Sequence, residues 1–297
     1  MYKLRIVFVM VLWGSIGVFT RFIAISPILL AFLRASIALP VIIIYGLATR
    51  SLSLKNASFK DVFPFILSGI IMGFSWLTLF IGFASTDIAA SIIAFNMCPV
   101  YVLLLAPLLL KERLRAHHIV TVILAFAGLF LIVYSSLDVS KSRISGLLFA
   151  IASGVLYAFF VIVNRKATKC LTNTTVTTLQ MGSASIVILP FVLFGNLFAD
   201  IGSIDTRALV MLLVLGIVHT GIAYLLYFPV YTKLNAVLIS ILGYIEPASG
   251  MAFAALLLGE ALTLFHIAGG LLILGSTLFC VVYENRKSKA GLIQELP

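Results

Sequence analysis

The chain has 297 residues, 62% of them hydrophobic and only 10% charged, with a mean hydropathy of +1.21. A soluble domain carries about 25% charged residues, so this composition excludes a water-soluble globular protein and leaves no stretch for a separate soluble domain. The net charge of +10 is spread over single residues and small clusters between apolar runs, as membrane-flanking anchors are, which excludes nucleic acid as a partner.

A membrane-crossing helix needs about 20 apolar residues, and ten such segments can be marked off by polar, Gly or Pro breaks. The first is predicted over 4–23. Its opening, Met1-Tyr2-Lys3-Leu4-Arg5, resembles a signal peptide, but the apolar run is too long for a signal core, and Pro27 follows the small pair Ala24 and Ser26. It is read as a retained helix. The second, 28–48, carries Arg34; the third, 61–84, carries Trp76; the fourth, 88–110, carries Asn96 and Pro99. Glu112 lies between the fourth and the fifth, 116–135. The sixth, 144–164, contains Tyr157, and the seventh, 174–194, contains Gln180. His219, Tyr224 and Tyr227 fall in the eighth, 207–232, and Glu246 with Pro247 in the ninth, 235–258. Glu260 precedes the tenth, 263–283. Unbroken apolar runs of this length do not alternate as barrel strands must. The fold class is therefore an all-α membrane protein of ten transmembrane helices.

Lysine and arginine set the direction of insertion. With the N-terminus inside, the inside segments hold 15 of the 20 basic residues, the outside segments hold four (Arg21, Lys141, Arg143, Arg207), and Arg34 lies within a span. Both termini are expected in the cytoplasm, with the chain in a plasma or inner membrane.

A shift of 148 residues aligns the two halves. Between Pro99 and Ile119, nine of 21 positions are identical, among them Pro99 with Pro247, Glu112 with Glu260 and His118 with His266. Leucine matches are cheap in so apolar a chain; matched Pro, Glu and His are not. The chain thus divides into 1–143 and 144–297, a five-helix unit and its repeat. Five is odd, so the second unit enters from the opposite side. Consistently, Lys111-Glu112-Arg113-Leu114-Arg115 has the uncharged-flank counterpart Gly259-Glu260-Ala261-Leu262-Thr263. Inverted repeats are a common architecture of secondary transporters.

These residues resemble the drug/metabolite transporter superfamily, specifically its EamA-type ten-helix members. The resemblance rests on Trp13-Gly14-Ser15, on Phe32-Leu33-Arg34, on Pro99 followed by Glu112 in a leucine-rich run, and on the echo from Glu246-Pro247 to Glu260. Lys111 departs from the family's usual glycine. The resemblance implies two inverted repeats around a central cavity and a small polar substrate, such as an amino acid or its metabolite, often exported.

Candidate site residues are the polar and aromatic groups inside the spans, each with a bland counterpart. Ionisable groups there are costly unless paired or wet. Arg34 lies roughly 9 Å and Glu246 roughly 18 Å from the outer ends of their helices at 1.5 Å per residue, so the two can pair, or Arg34 can simply snorkel. His219 either lines the cavity or bonds a neighbouring helix. Trp76, Tyr157, Tyr224 and Tyr227 line a cavity or pack between helices, and Asn96 and Gln180 bind polar groups or bridge helices. Glu112 and Glu260 are expected to be structural joints that accept backbone N–H bonds at helix starts. Pro99, Pro107, Pro229 and Pro247 are expected to break or bend their helices, with Pro99 and Pro247 as paired hinges. His118 and His266 are placed at the interface and His117 in solvent. The three cysteines make neither a disulfide framework nor a metal cluster.

The sequence therefore reads as a secondary transporter or facilitator working by alternating access through a central cavity. The alternative is a non-transport membrane protein, either an enzyme or a scaffold or sensor. An enzyme would need a motif such as His-Glu-x-x-His or Gly-x-Ser-x-Gly, and no P-loop occurs. The expected partners are a small-molecule substrate, the lipid bilayer and protons as a candidate coupling ion. No metal or cofactor is expected, and monomer and homodimer remain equal readings.

Overall fold

The structure, a computed structural model, describes residues 1–297 apart from 56, 87, 113, 135–143, 168–170, 260–262 and 290–297. The expectations for Glu260 and Cys170 lie outside the described residues. Those described form helices and no strand. They are α1 Tyr2–Thr20, α2 Pro27–Ala48, α3 Phe59–Ser85, α4 Ser91–Leu110, α5 Ala116–Tyr134, α6 Ile144–Lys166, α7 Asn173–Phe194, α8 Thr206–Thr232, α9 Ala236–Leu258 and α10 Leu264–Lys289. Nine are long and apolar enough to cross a membrane, and α5 adds a shorter apolar stretch, Ala116–Ile132, among the described residues. Predicted ends differ from these by three residues or fewer, except that α10 runs six past 283.

The starts carry the local chemistry that starts need. Pro27 opens α2 and a Ser58–Asp61 capping box opens α3. Side-chain oxygens of Thr172, Asp205 and Asn235 accept the amides of Thr175, Ala208 and Leu238 at the heads of α7, α8 and α9. A short 3-10 segment, Leu197–Ser203, was not expected between α7 and α8. Its Asp200 accepts the amide of Ser26, tying two loops on one end of the bundle.

Inside and outside are reversed relative to a soluble protein. Leu104, Leu108, Leu256, Leu271 and Phe194 are exposed, whereas Ser68, Ser75, Thr177 and Gln180 are completely buried. Lipid supplies no hydrophobic drive between helices, so small and polar residues join the apolar side chains in the contacts. Where α1 crosses α9, a Cβ on Gly14 would stand 2.1 Å from Ser249 Oγ and 2.7 Å from the Glu246 carbonyl. Glycine there presses α1 directly onto the helix that carries Glu246. Gly128 and Gly269 do the same for α5 and α10.

The most extensive helix pairings among the described residues are α3 with α6, α5 with α10, α3 with α7, α2 with α7, α2 with α8, α1 with α9, α4 with α6 and α1 with α8. This list is unchanged when α1–α5 are exchanged with α6–α10.

Four of the described helices leave regular geometry. α1 is interrupted at Ser15, between Tyr2–Gly14 and Ile16–Thr20. α4 is interrupted at Asn96–Met97, between Ile88–Phe95 and Cys98–Leu110, and Pro99 stands in the first turn of the restarted piece. Proline has no amide to give and disfavours helical backbone before it, so the break falls just upstream. α9 is interrupted at Tyr244, between Ala236–Gly243 and Ile245–Leu258. α8 contains a π segment, Leu215–Ile222, and a terminal 3-10 turn, Phe228–Thr232, that includes Pro229. Pro107, by contrast, lies inside the continuous piece Cys98–Leu110. The pieces Ile88–Phe95 and Ala236–Gly243 are 148 residues apart. So are the left-handed residues that end their helices, Lys111 (φ 57°) and Gly259 (φ 69°).

Candidate functional site

The interruptions surround a cavity of about 610 Å³ to which every helix except α7 contributes lining. Seven of the nine expected site residues line it: Arg34, Trp76, Asn96, Tyr157, Tyr224, Tyr227 and Glu246. Pro99 and Pro247 line it as well. Its wall is mostly apolar and aromatic, the composition of a site for an organic solute with a few fixed polar groups.

Glu246 falls in the first turn of Ile245–Leu258. There the unsatisfied amides and the positive end of the helix favour a carboxylate. The break at Tyr244 thus creates, mid-membrane, a place where an anion is tolerated. Arg34 is held from the other side. Its Nε donates to Thr220 Oγ1 at 3.3 Å, and that hydroxyl donates to the Leu215 carbonyl at 2.8 Å inside the π segment. Arg34 and Glu246 line the same cavity.

Trp13 was quoted in the sequence motif but not counted among the site residues, and it proves central. Its indole Nε1 donates to the His219 carbonyl at 2.8 Å, and its ring lies 4.9 Å from Tyr224 and 5.0 Å from Tyr227. Tyr244, Phe80 and Phe95 also line the cavity without having been foreseen. Asn96, beside the break in α4, lines the cavity and donates its side-chain amide to the Ile92 carbonyl at 2.9 Å.

Two expected site residues lie elsewhere. His219 is buried between helices, with Nε2 sharing a 2.9 Å hydrogen bond with Ser15 Oγ and its ring 4.8 Å from Phe19. It ties α8 to α1 and does not line the cavity. Gln180, on α7, donates from Nε2 to Ser68 Oγ at 2.5 Å and to Asn164 Oδ1 at 2.6 Å. It bridges α3, α6 and α7. Both fill the helix-bridging role that a lone polar group in a bilayer most often has.

Glu112 is a joint, but between different elements from those expected. Both its oxygens accept the Ala236 amide at 3.1 Å, and Oε1 pairs with Arg165 Nε at 3.3 Å. It therefore caps α9, in the other half of the chain, and not the helix that follows it. His266, expected at the interface, lines the cavity. His117, expected in solvent, is buried, with His118 at 4.2 Å and Tyr283 at 4.5 Å between ring centroids. Ligating atoms of His117, His118 and Cys280 lie within 4.8 Å of one another, a donor set of the kind that suits a soft cation, on the α5–α10 pair.

The sequence profile of the EamA-like transporter family matches the chain twice, over residues 3–134 and 144–282. An uncharacterized transporter of Bacillus subtilis is 29% identical over 98% of this chain and 92% of its own length. A probable amino-acid metabolite efflux pump of Salmonella typhimurium is 29% identical over 59% of this chain and 60% of its own. A similarly described pump of Escherichia coli is 27% identical over 64% and 66%. One crystal structure, 20% identical, superposes with a TM-score of 0.80 over 95% of this chain and 97% of the other, which identifies a shared fold.

Proposed function

The chain belongs to the EamA-like transporter family, and on that premise we propose that it exports an amino acid or a close zwitterionic metabolite by alternating access. The observation that carries the substrate class is the pair Arg34 and Glu246 on one aromatic-walled cavity. A charged group at membrane depth costs about 2.5–3.5 kcal/mol even on the mildest scale. Two opposite charges beside a 610 Å³ space match a solute that brings a carboxylate and an ammonium of its own. The carboxylate faces Arg34, the ammonium faces Glu246, and the apolar body lies among Trp13, Trp76 and Tyr157. The relatives described as amino-acid metabolite efflux pumps support this class. Family membership supports transport over catalysis.

The two matches of the family profile and the exchangeable helix pairings support an inverted repeat. Such a repeat gives two equivalent conformations around one site. The basic-residue bias supports cytoplasmic termini. Glu246 is the candidate to carry a coupling proton, because it is the one carboxylate among the described cavity-lining residues.

The test is binding and flux with purified protein in proteoliposomes. Zwitterionic amino acids should stabilise the protein and move across the membrane, and amines or carboxylates lacking the second charge should bind far more weakly. Equal binding of neutral solutes of the same size would overturn the zwitterion reading.

A further inference from the structure

A second pocket, of about 430 Å³, lies at the end of the bundle that bears Arg165, Lys166 and Lys233. It is bounded by the α2–α3 loop and by α3, α6, α7 and α8. Its polar lining includes Ser51, Asn164, Thr174, Thr232 and Lys233, and Phe228 and Tyr231 form its apolar wall. The exposed Lys233 is the cation of this lining.

That apolar wall packs against rings that line the main cavity. Tyr227 and Tyr157 line the cavity side, whereas Tyr231 and Phe228 line the pocket side. The Tyr231 hydroxyl donates to the Tyr227 hydroxyl at 2.9 Å, and the two rings are 5.1 Å apart. Phe160 closes the layer, 5.4 Å from Tyr157 and 6.2 Å from both Phe228 and Tyr231. Between the two spaces there is one layer of rings.

The backbone beneath Phe228 and Tyr231 is the 3-10 turn Phe228–Thr232, where Pro229 provides no amide. It is fastened from outside the layer. Arg165 Nη1 donates to the Tyr231 carbonyl at 3.4 Å, while Arg165 Nε holds Glu112, which in turn caps α9. Phe228 and Tyr231 thus sit on a segment outside the regular α ladder and tethered through Arg165, the movable side of a partition whose other side, Tyr227 and Phe160, is carried by regular helix.

The geometry points to a second solute site on the transport path: the basic-end pocket is a loading vestibule for a small carboxylate-bearing solute, and Tyr227, Tyr231, Phe228 and Phe160 are the partition it must pass. Lys233 attracts the carboxylate, and the hydroxyls and Asn164 offer acceptors for an ammonium. This rests on the transport reading above, which supplies the solute class.

The test uses single cysteines in the full chain with Cys98, Cys170 and Cys280 replaced by serine, labelled with a membrane-impermeant thiol reagent in vesicles of each orientation. Thr232→Cys reports the vestibule. Gly243→Cys reports the main cavity, where an added Cβ meets nothing within 4 Å. Thr232→Cys should label from the basic face and Gly243→Cys from the opposite face only. Tyr231→Ala should open Gly243→Cys to reagent from the basic face. A mixture of zwitterionic L-amino acids should slow labelling at both probes severalfold, and Lys233→Gln should reduce that protection at Thr232→Cys. Protection at Gly243→Cys with none at Thr232→Cys, or a Tyr231→Ala partition that stays closed, would overturn the vestibule. Correct sidedness and opening with no protection at either probe would keep the path and reject the zwitterion reading instead. Should Tyr231→Ala not fold, sidedness and protection in the intact partition decide the question by themselves.

Discussion

Arg34 is positioned by Thr220: the guanidinium Nε donates 3.3 Å to a threonine hydroxyl that is itself committed to the Leu215 carbonyl. The π segment of α8 is thereby converted into a mount for a charge on α2. An α-helical register would carry Thr220 to a different carbonyl, so the irregular segment is what holds the Arg34 guanidinium in place.

Thr220→Val keeps the side-chain shape and removes the mount. Amino-acid affinity is expected to fall severalfold with melting temperature nearly unchanged, measured by calorimetric titration and thermal unfolding in the same detergent. A variant that binds as wild type would show that Arg34 needs no positioning from α8.

The two cavity charges should separate by ligand. Glu246→Gln is expected to weaken zwitterion binding by about tenfold or more, which corresponds to 1.4 kcal/mol, and to flatten the dependence of flux on pH. Arg34→Gln should remove the preference for a carboxylate over its ester. Wild-type flux and pH profile in Glu246→Gln would show that this carboxylate neither contacts solute nor carries a proton.

Glu112→Gln is expected to destabilise the protein by about 1.5–3 kcal/mol, the range for hydrogen bonds to a charged group. It weakens both the Ala236 cap and the Arg165 pair. Combined with Arg165→Gln, the loss should be clearly less than the sum of the single losses, because the two residues share one interaction. Additive losses in thermal unfolding would mean that the pair contributes nothing as a pair.

His219→Ala should cost about 0.6–1.7 kcal/mol, the range for interhelical hydrogen bonds in membranes, and leave Kd for substrate within a factor of about two. The expectation follows from its bond to Ser15, neither residue lining the cavity. A large drop in affinity at unchanged stability would return His219 to the site.

Much of the fold was legible because apolar length is nearly the whole determinant of a spanning helix. Seven cavity-lining residues were legible for a related reason: Arg34, Glu246 and the mid-span aromatics and amide are out of place in hydrocarbon unless something holds them there. His219 and Gln180 carry the same signal but use it to bridge helices. Side-chain type alone does not separate a group that faces a cavity from one that faces a neighbour. The helical face is equally hidden, because a span apolar all round loses the 3.6-residue periodicity that points a helix inward. Tyr244 and Phe95 were missed for that reason. The π segment left no mark either: Leu215-Gly216-Ile217-Val218-His219-Thr220-Gly221-Ile222 reads as ordinary helix. It receives tertiary hydrogen bonds from Trp13 and Arg34, at the His219 carbonyl and the Thr220 hydroxyl.

Lys111 occupies a left-handed backbone conformation, and the residue 148 positions later in the same conformation is Gly259. A lysine there carries about 1 kcal/mol of strain that glycine avoids. Yet Lys111 is one of three basic residues between α4 and α5, with Arg113 and Arg115, and such residues steer a nascent chain. Lys111→Gly therefore relaxes the finished helix end while weakening an instruction read during synthesis. The mature protein would gain from glycine at this position; the emerging chain, which must choose a side of the bilayer, is better served by lysine.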